Sequence, residues 1–269
     1  MTSEFNRREA VIFAGALGGA LFARQAFAQS GPSLAEAHHS HGSEQIAMVL
    51  YPGMTHLDLV GPLFAFGLMA GAKIHLVDPE IAPVFGDGHL ALMPTHTYDQ
   101  VPAELDLLFV PGAGPGTIDA MRDEALLAFL ADRGKRAKYV TSVCTGSLVL
   151  GAAGLLKGYR ATSHWVVRDT VLPLVGATPV NARYVKDRNR ITGGGVTSGI
   201  DFGLRLVAEF RGEAEARHIQ LMGEYDPDPP FNSGSPGTAL PQTVDAVRQR
   251  ASGLVEGTAR AARENPFRA

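Results

Sequence analysis

The sequence predicts an α/β fold, a three-layer sandwich around a mostly parallel central sheet. Three observations predict it. From about residue 45 onward, short apolar or β-branched runs alternate with longer runs at helical spacing, the pattern of strands joined by crossover helices. Neither an internal repeat nor a second domain boundary interrupts the alternation, so residues 45–269 read as one domain with a C-terminal arm and helix. Finally, Ala137 to Val143 (AKYVTSV) reads as a buried strand running into Cys144-Thr145-Gly146, and a small, apolar helical stretch follows to Leu156. A cysteine at such a turn, with a glycine two places on, has the layout of a nucleophile elbow.

The start of the chain carries a different signal. Asn6-Arg7-Arg8-Glu9 precedes an apolar run from Ala10 to Ala23, and Ala26-Phe27-Ala28 makes a small-residue cleavage site. The arginine pair reads as a twin-arginine export address, or as the basic flank of a general secretion signal. In either case residues 1–28 are expected to be removed and the mature protein to be periplasmic or secreted. Loss of three Arg and two Glu takes the net charge from −3 to −4. With no basic block the chain offers nothing to nucleic acid, and beyond the signal no stretch approaches membrane-span length. One cysteine in an oxidising compartment cannot close an internal disulfide, which points Cys144 toward chemistry rather than stapling. Residues 29–44 are polar and turn-rich and read as a flexible leader. Its His38, His39 and His41 lack a carboxylate or cysteine to complete a metal site.

In order, Gln45–Tyr51 reads as a buried first strand ended by Pro52-Gly53, and Leu59–Met69 as a helix with Gly61-Pro62 near its start. Lys73–Val77 is a second strand. Short extended pieces at Pro83–Phe85 and Leu90–Met93 flank Gly86-Asp87-Gly88. Asp106–Val110 is a central strand leading into Pro111-Gly112-Ala113-Gly114-Pro115-Gly116, and Thr117–Arg133 a surface helix. Arg160-Ala161-Thr162-Ser163-His164-Trp165 reads as a short strand entering a helix, and residues 183–192 as a hairpin turning at Asp187-Arg188-Asn189. Gly193-Gly194-Gly195 then leads into a helix over Thr197–Phe210, 225–241 is a proline-rich arm, and Gln242–Ala261 an amphipathic helix.

Several residues stand out as chemistry. Cys144 at a helix start would have its thiolate favoured by free N–H groups and the helix dipole; otherwise a lone cysteine is a small buried hydrophobe. Asp58 either caps the following helix or sits as a site residue just past a strand end. The Pro111–Gly116 loop lacks the lysine of a P-loop and the spacing of a dinucleotide fingerprint, and suits an oxyanion hole from bare backbone N–H groups. His164 is either a base for Cys144 or a structural histidine. The glycine run around Gly194 suggests backbone packed tightly under the site, and Asp201 suits a helix first turn. No convincing metal-ligand cluster is present, so metal and cofactor are both expected to be none.

Together these segments resemble the DJ-1/PfpI branch of the class I glutamine amidotransferase-like superfamily from about Gln45 to Phe231, and within it the isonitrile hydratases. The likeness is carried by Leu57-Asp58-Leu59 with Gly61-Pro62, Pro111-Gly112-Ala113-Gly114 and Val143-Cys144-Thr145-Gly146. It continues through Ala161-Thr162-Ser163-His164-Trp165, Gly193-Gly194-Gly195-Val196-Thr197, Gly199-Ile200-Asp201-Phe202 and the arm from Glu224 to Asn232. The resemblance implies a flavodoxin-like sheet, a homodimer and a small-molecule substrate. It makes Cys144 the nucleophile, Asp58 its acidic, proton-exchanging partner and Thr145 a hydrogen-bonding neighbour, with backbone groups of Ala113, Gly114 and Thr145 around them. The implied reaction adds water to an isocyanide through a Cys144 thioimidate, giving an N-substituted formamide. For Asp58 to donate a proton, burial must raise its pKa above the ~3.9 reference. Two features depart from the family: Val60 stands where hydratases often have threonine, and an export signal is unusual. The alternatives are a DJ-1-like redox-sensing or protein-protection factor using Cys144, and another cysteine-dependent hydrolase or lyase using His164. A ligand-sensing module like that of AraC-type regulators fits less well, because the stretch after Tyr225 is not basic.

Overall fold

The structure, a computed structural model, describes residues 41–265. The readings of 1–28 as an export signal and of 29–40 as leader, His38 and His39 included, lie outside the described residues. The chain is already fastened at residue 42: Gly42 N–H donates to Ala70 O, and Glu44 forms a nearly buried two-point ion pair with Arg211 at 2.6 and 2.9 Å. Residues 42–44, expected to belong to the leader, are thus held against the fold.

Strand β1 (Gln45–Val49) leads through a turn into helix α1 (His56–Gly67), and β2 (Lys73–Val77) follows. A small hairpin, β3 (Val84–Phe85) and β4 (Ala91–Leu92), turns through Asp87–His89 with Gly88 at φ 63°. Then come β5 (Leu107–Val110), α2 (Gly116–Ala120), α3 (Glu124–Gly134), β6 (Tyr139–Val143) and α4 (Gly146–Ala152). The second half holds β7 (Arg160–Ala161), α5 (Trp165–Val171), β8 (Thr178–Pro179), β9 (Tyr184–Asp187), β10 (Arg190–Gly193) and α6 (Ser198–Arg211). Helices α7 (Glu213–Met222), α8 (Pro241–Arg250) and α9 (Ser252–Glu264) complete it.

The main sheet has the order β2-β1-β5-β6-β10-β9, with every neighbouring pair parallel except β10 and β9. Such a sheet is buried on both faces, and β5 shows it: all four of its residues, Leu107 to Val110, are buried. Helices α1, α6 and α7 pack together on one side, with α6 on β10 and β6; α4 packs on β6 and β5 with α2, α3 and α9 beside it. From β1 the chain passes to β2 on one side and later returns to β5 on the other. That reversal opens a crevice at the carboxyl ends of β1, β5 and β6, where open α/β sheets keep their chemistry. No helix among the described residues is long and apolar enough to cross a membrane.

Helices α1 and α6 meet through small residues. A Cβ at Gly203 would lie 3.0 Å from Pro62 Cα and 3.1 Å from Ala65 Cβ, so glycine lets the backbones approach. Pro62 is inside α1, not in the first turn as expected, because the helix begins at His56, three residues before the expected Leu59. The expected helix over 117–133 is two helices, broken where Asp123 Oδ1 accepts from Leu126 N at 3.0 Å and caps α3. The amphipathic tail likewise breaks at Ala251, which leaves Val247 exposed while Val244 and Thr258 are buried. Little in the sequence signals α7, whose buried apolar residues are Ala216 and Ile219 alone.

At the elbow, a Cβ on Gly146 would fall onto the carbonyl oxygen of Val110 and within 2.6 Å of Pro111 O. Backbone cannot yield as a flexible side chain does. Gly146→Ala is therefore expected to lower stability by about 1–3 kcal/mol in urea denaturation; a change within error would show that the elbow is not tightly packed against β5.

Candidate active site

Cys144 follows β6 directly, and its backbone is left-handed at φ 57°, a conformation that non-glycine residues rarely adopt. Its N–H is held between the carbonyls of Gly193 (3.1 Å) and Gly194 (2.9 Å), and its own carbonyl accepts from Ser163 Oγ at 3.0 Å and Ser147 Oγ at 3.2 Å. The glycine run does lie beneath the site, with Gly194 O also accepting from Ser198 Oγ at 2.6 Å. Backbone N–H groups of Thr145 and Val196 interact with the sulfur at this turn. Val196 is a contributor that side-chain-based reading could not find, since the group involved is a backbone amide.

Asp58 sits in the first turn of α1 and is fully buried, at 0% exposure. It is not a helix cap, because α1 starts before it; instead Asp58 Oδ2 accepts from Gly112 N at 3.1 Å, while Oδ1 has no hydrogen-bond partner among the described residues. Burial raises its pKa to about 7, opposed by interactions with the Cys144 thiol and the Gly112 N–H and reinforced by the charge of Asp87. Gly112 is the joint of the site: a Cβ there would lie 2.7 Å from Asp58 Oδ2, 2.7 Å from Cys144 Cβ and 2.6 Å from Thr145 N. Tyr51, just past β1, donates its phenol to Pro111 O at 2.7 Å; burial first, then negative charge on Asp58 and Cys144, holds that phenol protonated.

The expected thiolate preference at the helix start is corrected. Cys144 is 4% exposed and its thiol pKa is raised, first by burial and then by the charge of Asp58, against the two backbone N–H groups. Loss of hydration outweighs the field of a helix only seven residues long. The thiol and Asp58 are consequently a coupled pair, and above pH 7 they hold one proton between them.

The other expected groups divide. Thr145 Oγ1 accepts from Ala113 N at 2.8 Å and lies 2.8 Å from Ala113 O and 2.7 Å from Thr117 Oγ1. Its hydroxyl therefore anchors the 111–114 loop, and its backbone N–H is what meets the sulfur. The Ala113 N–H is committed to that hydroxyl and is not open to a reacting oxygen. His164 caps α5 through Val166 N at 3.4 Å, packs against Gly195, and makes no hydrogen bond to Cys144. Val60 is 36% exposed, on a different face of α1 from Asp58, so a threonine there would add no hydroxyl to the site. Asp201 pairs with Arg183 and accepts from Tyr225 OH at 2.9 Å, tying the arm to α6. Among the described residues no group of three or more His, Cys, Asp or Glu is placed to hold a metal ion.

Asp58 makes stability depend on pH. Between its unfolded pKa of about 3.9 and its folded value of about 7, the native state keeps a proton that the unfolded chain has released. Stability from this group is therefore greatest below pH 4, falls as pH rises to 7, and is flat above. Asp58→Asn is expected to remove that fall and to be more stable than wild type at pH 8, by up to about 4 kcal/mol. Urea denaturation at pH 5 and pH 8 checks this, and equal pH dependence of the two proteins contradicts it.

Residues 44–209 match the DJ-1/PfpI family. The chain is 49% identical to the isonitrile hydratase of Pseudomonas putida over 208 residues, 77% of this chain and 90% of that one. A crystal structure of a ThiJ/PfpI family protein from Pseudomonas syringae superposes with a TM-score of 0.83 at 51% identity, covering 87% of this chain and 98% of that one. A DJ-1 superfamily protein from Salmonella typhimurium gives a TM-score of 0.59 at 26% identity, over 69% of this chain and all of that one. An acute cysteine turn, a flavodoxin-like strand order and similarity across the whole sheet thus agree: the chain belongs to the DJ-1/PfpI family.

Proposed function

We propose that this protein is an isonitrile hydratase, converting R–N≡C and water to R–NH–CHO with Cys144 as nucleophile and Asp58 as the group that moves the proton. The observation that carries the reading is a fully buried carboxyl with a pKa of about 7 in contact with the thiol at the elbow. Near neutral pH the pair holds one proton. As sulfur attacks the terminal carbon, that proton passes from the thiol to Asp58 and then to the carbon, leaving a thioimidate, R–N=CH–S–Cys. Asp58, now ionised, takes a proton from a water that adds to the same carbon. The nitrogen gains the second proton of that water as the C–S bond breaks, and the thiol–carboxyl pair is restored with its one proton. The N–H groups of Thr145 and Val196 stabilise the sulfur when it carries charge.

The redox-sensing alternative needs an exposed thiol of low pKa, whereas Cys144 is buried with its pKa raised. A Cys–His hydrolase needs His164 at the sulfur, and that ring is used as a helix cap. Cys144→Ala is expected to abolish hydration of a simple alkyl isocyanide, and Asp58→Asn to lower kcat by about 10²–10⁴-fold, with far-UV circular dichroism unchanged in both. Measurable hydration by Cys144→Ala would rule out the mechanism.

The proposal extends to an exported homodimer. Leu57, Val60 and Phe64 form an exposed apolar stripe on α1, and Leu221 and Met222 are exposed at the end of α7, whose following Gly223 packs on Phe64. Native mass spectrometry of protein recovered from outside the cytoplasm is expected to give a dimer of chains beginning at Gln29. A monomer, or a chain retaining residue 1, contradicts the corresponding half.

A further inference from the structure

Near the catalytic pair lies a second one that the proposed mechanism does not use. His56 is the first residue of α1 and Asp87 is in the turn of the β3–β4 hairpin, 31 residues away. Asp87 Oδ1 accepts from His56 N at 3.0 Å and from His56 Nδ1 at 2.7 Å. Thr55, the residue preceding α1, makes no side-chain capping bond, so Asp87 caps the helix from outside and fixes the turn that carries Asp58. The hairpin is held in place by Asp87 N–H donating to Met54 O at 2.9 Å and by Gly86. A Cβ at Gly86 would lie 2.5 Å from Met54 O and 2.8 Å from His56 Nε2. His56 is 8% exposed and its Nε2 has no partner among the described residues, whereas the Asp87 side chain is 54% exposed. One end of the pair thus meets solvent and the other is walled in beside the site.

We propose that His56 and Asp87 are a positioning pair for the catalytic site: the pair clamps the first turn of α1, and the Asp87 carboxylate biases the proton shared by Asp58 and Cys144 toward Asp58, easing its departure from the sulfur during attack. The inference rests on Asp58 and Cys144 being the proton-sharing pair of the proposed reaction. The groups facing Asp58 are consistent with it. Cys144 approaches from the elbow, Tyr51 from the end of β1 and Asp87 from the hairpin, and Asp87 is the one whose charge acts on Asp58 without touching the sulfur. On the α6 side Gly199, Ile200 and Gly203 lie against α1 and carry no charge. Two negative carboxyls in one low-dielectric neighbourhood repel, so the buried one retains its proton to higher pH.

The test is the pH dependence of Cys144 alkylation by iodoacetamide, which needs no isonitrile and has a single cysteine to report. Wild type is expected to show a first rise in rate near pH 7 that Asp58→Asn abolishes. Asp87→Asn keeps an oxygen to accept from His56 and removes the charge; it is expected to move that rise about half a pH unit toward acid and to lower the plateau rate about threefold. Asp87→Ser, a neutral residue that caps well, is the second variant and is expected to do the same. An unmoved rise and plateau in a folded variant would overturn the proposal, and so would failure of both variants to fold, since either outcome makes Asp87 a helix cap and nothing more. Absence of isonitrile hydration by wild type would sink the parent reading while leaving these alkylation profiles to decide this one.

Discussion

Everything at the site depends on one backbone conformation. Cys144 at φ 57° reverses the chain between β6 and α4 within a single residue, and an L side chain resists that geometry by a kcal/mol or more. It persists because the surroundings over-determine it. The Gly193 and Gly194 carbonyls share its N–H, Ser147 and Ser163 hydroxyls share its carbonyl, and Gly146 leaves no gap against Val110 and Pro111. Three segments distant in sequence, at 110–111, 163 and 193–194, converge on that turn. A sheet with this strand order brings them together because its reversal point leaves the ends of β1, β5 and β6 facing one crevice.

The electrostatics follow from that placement. A thiol and a carboxyl pressed into backbone and away from water both favour their neutral forms, so desolvation sets the chemistry more strongly than the adjacent helix start does. Together they hold one proton near neutral pH, the proton that the proposed reaction moves. Glycine at 112 is the steric condition for this, since any side chain there would occupy the space where carboxyl and thiol meet. Thr145 and Thr117 then hold the 111–114 loop in position through Ala113, a supporting task that leaves the hydroxyls no free part in proton transfer.

The helix bearing Asp58 is also set from several sides. Its outer end is capped by a hairpin residue rather than by its own Thr55, and its length is packed glycine-close against α6. Those two constraints place a carboxyl that sits on a helix as rigidly as one on the sheet. A fully buried carboxyl is costly in a resting protein unless its neighbours compensate it, and here the Gly112 N–H and the Cys144 thiol do so at the junction of the elbow and the glycine loop.

The amino-acid sequence by itself determined the alternation of strands and helices and the elbow at Cys144, and it singled out Asp58 as a candidate, because these follow from local periodicity, turn chemistry and residue type. Helix breaks at Met121–Asp123 and Ala251 were illegible to it, since apolar spacing runs on across a cap or a bend. Only the tertiary structure decided which N–H groups are free and which way a side chain turns. It gave His164 to a helix cap, the Ala113 amide to Thr145 and Val60 to the surface, and it brought Asp87 to His56 across 31 residues. It also decided the protonation of the pair, because desolvation depends on what surrounds a group in space and not on its neighbours along the chain.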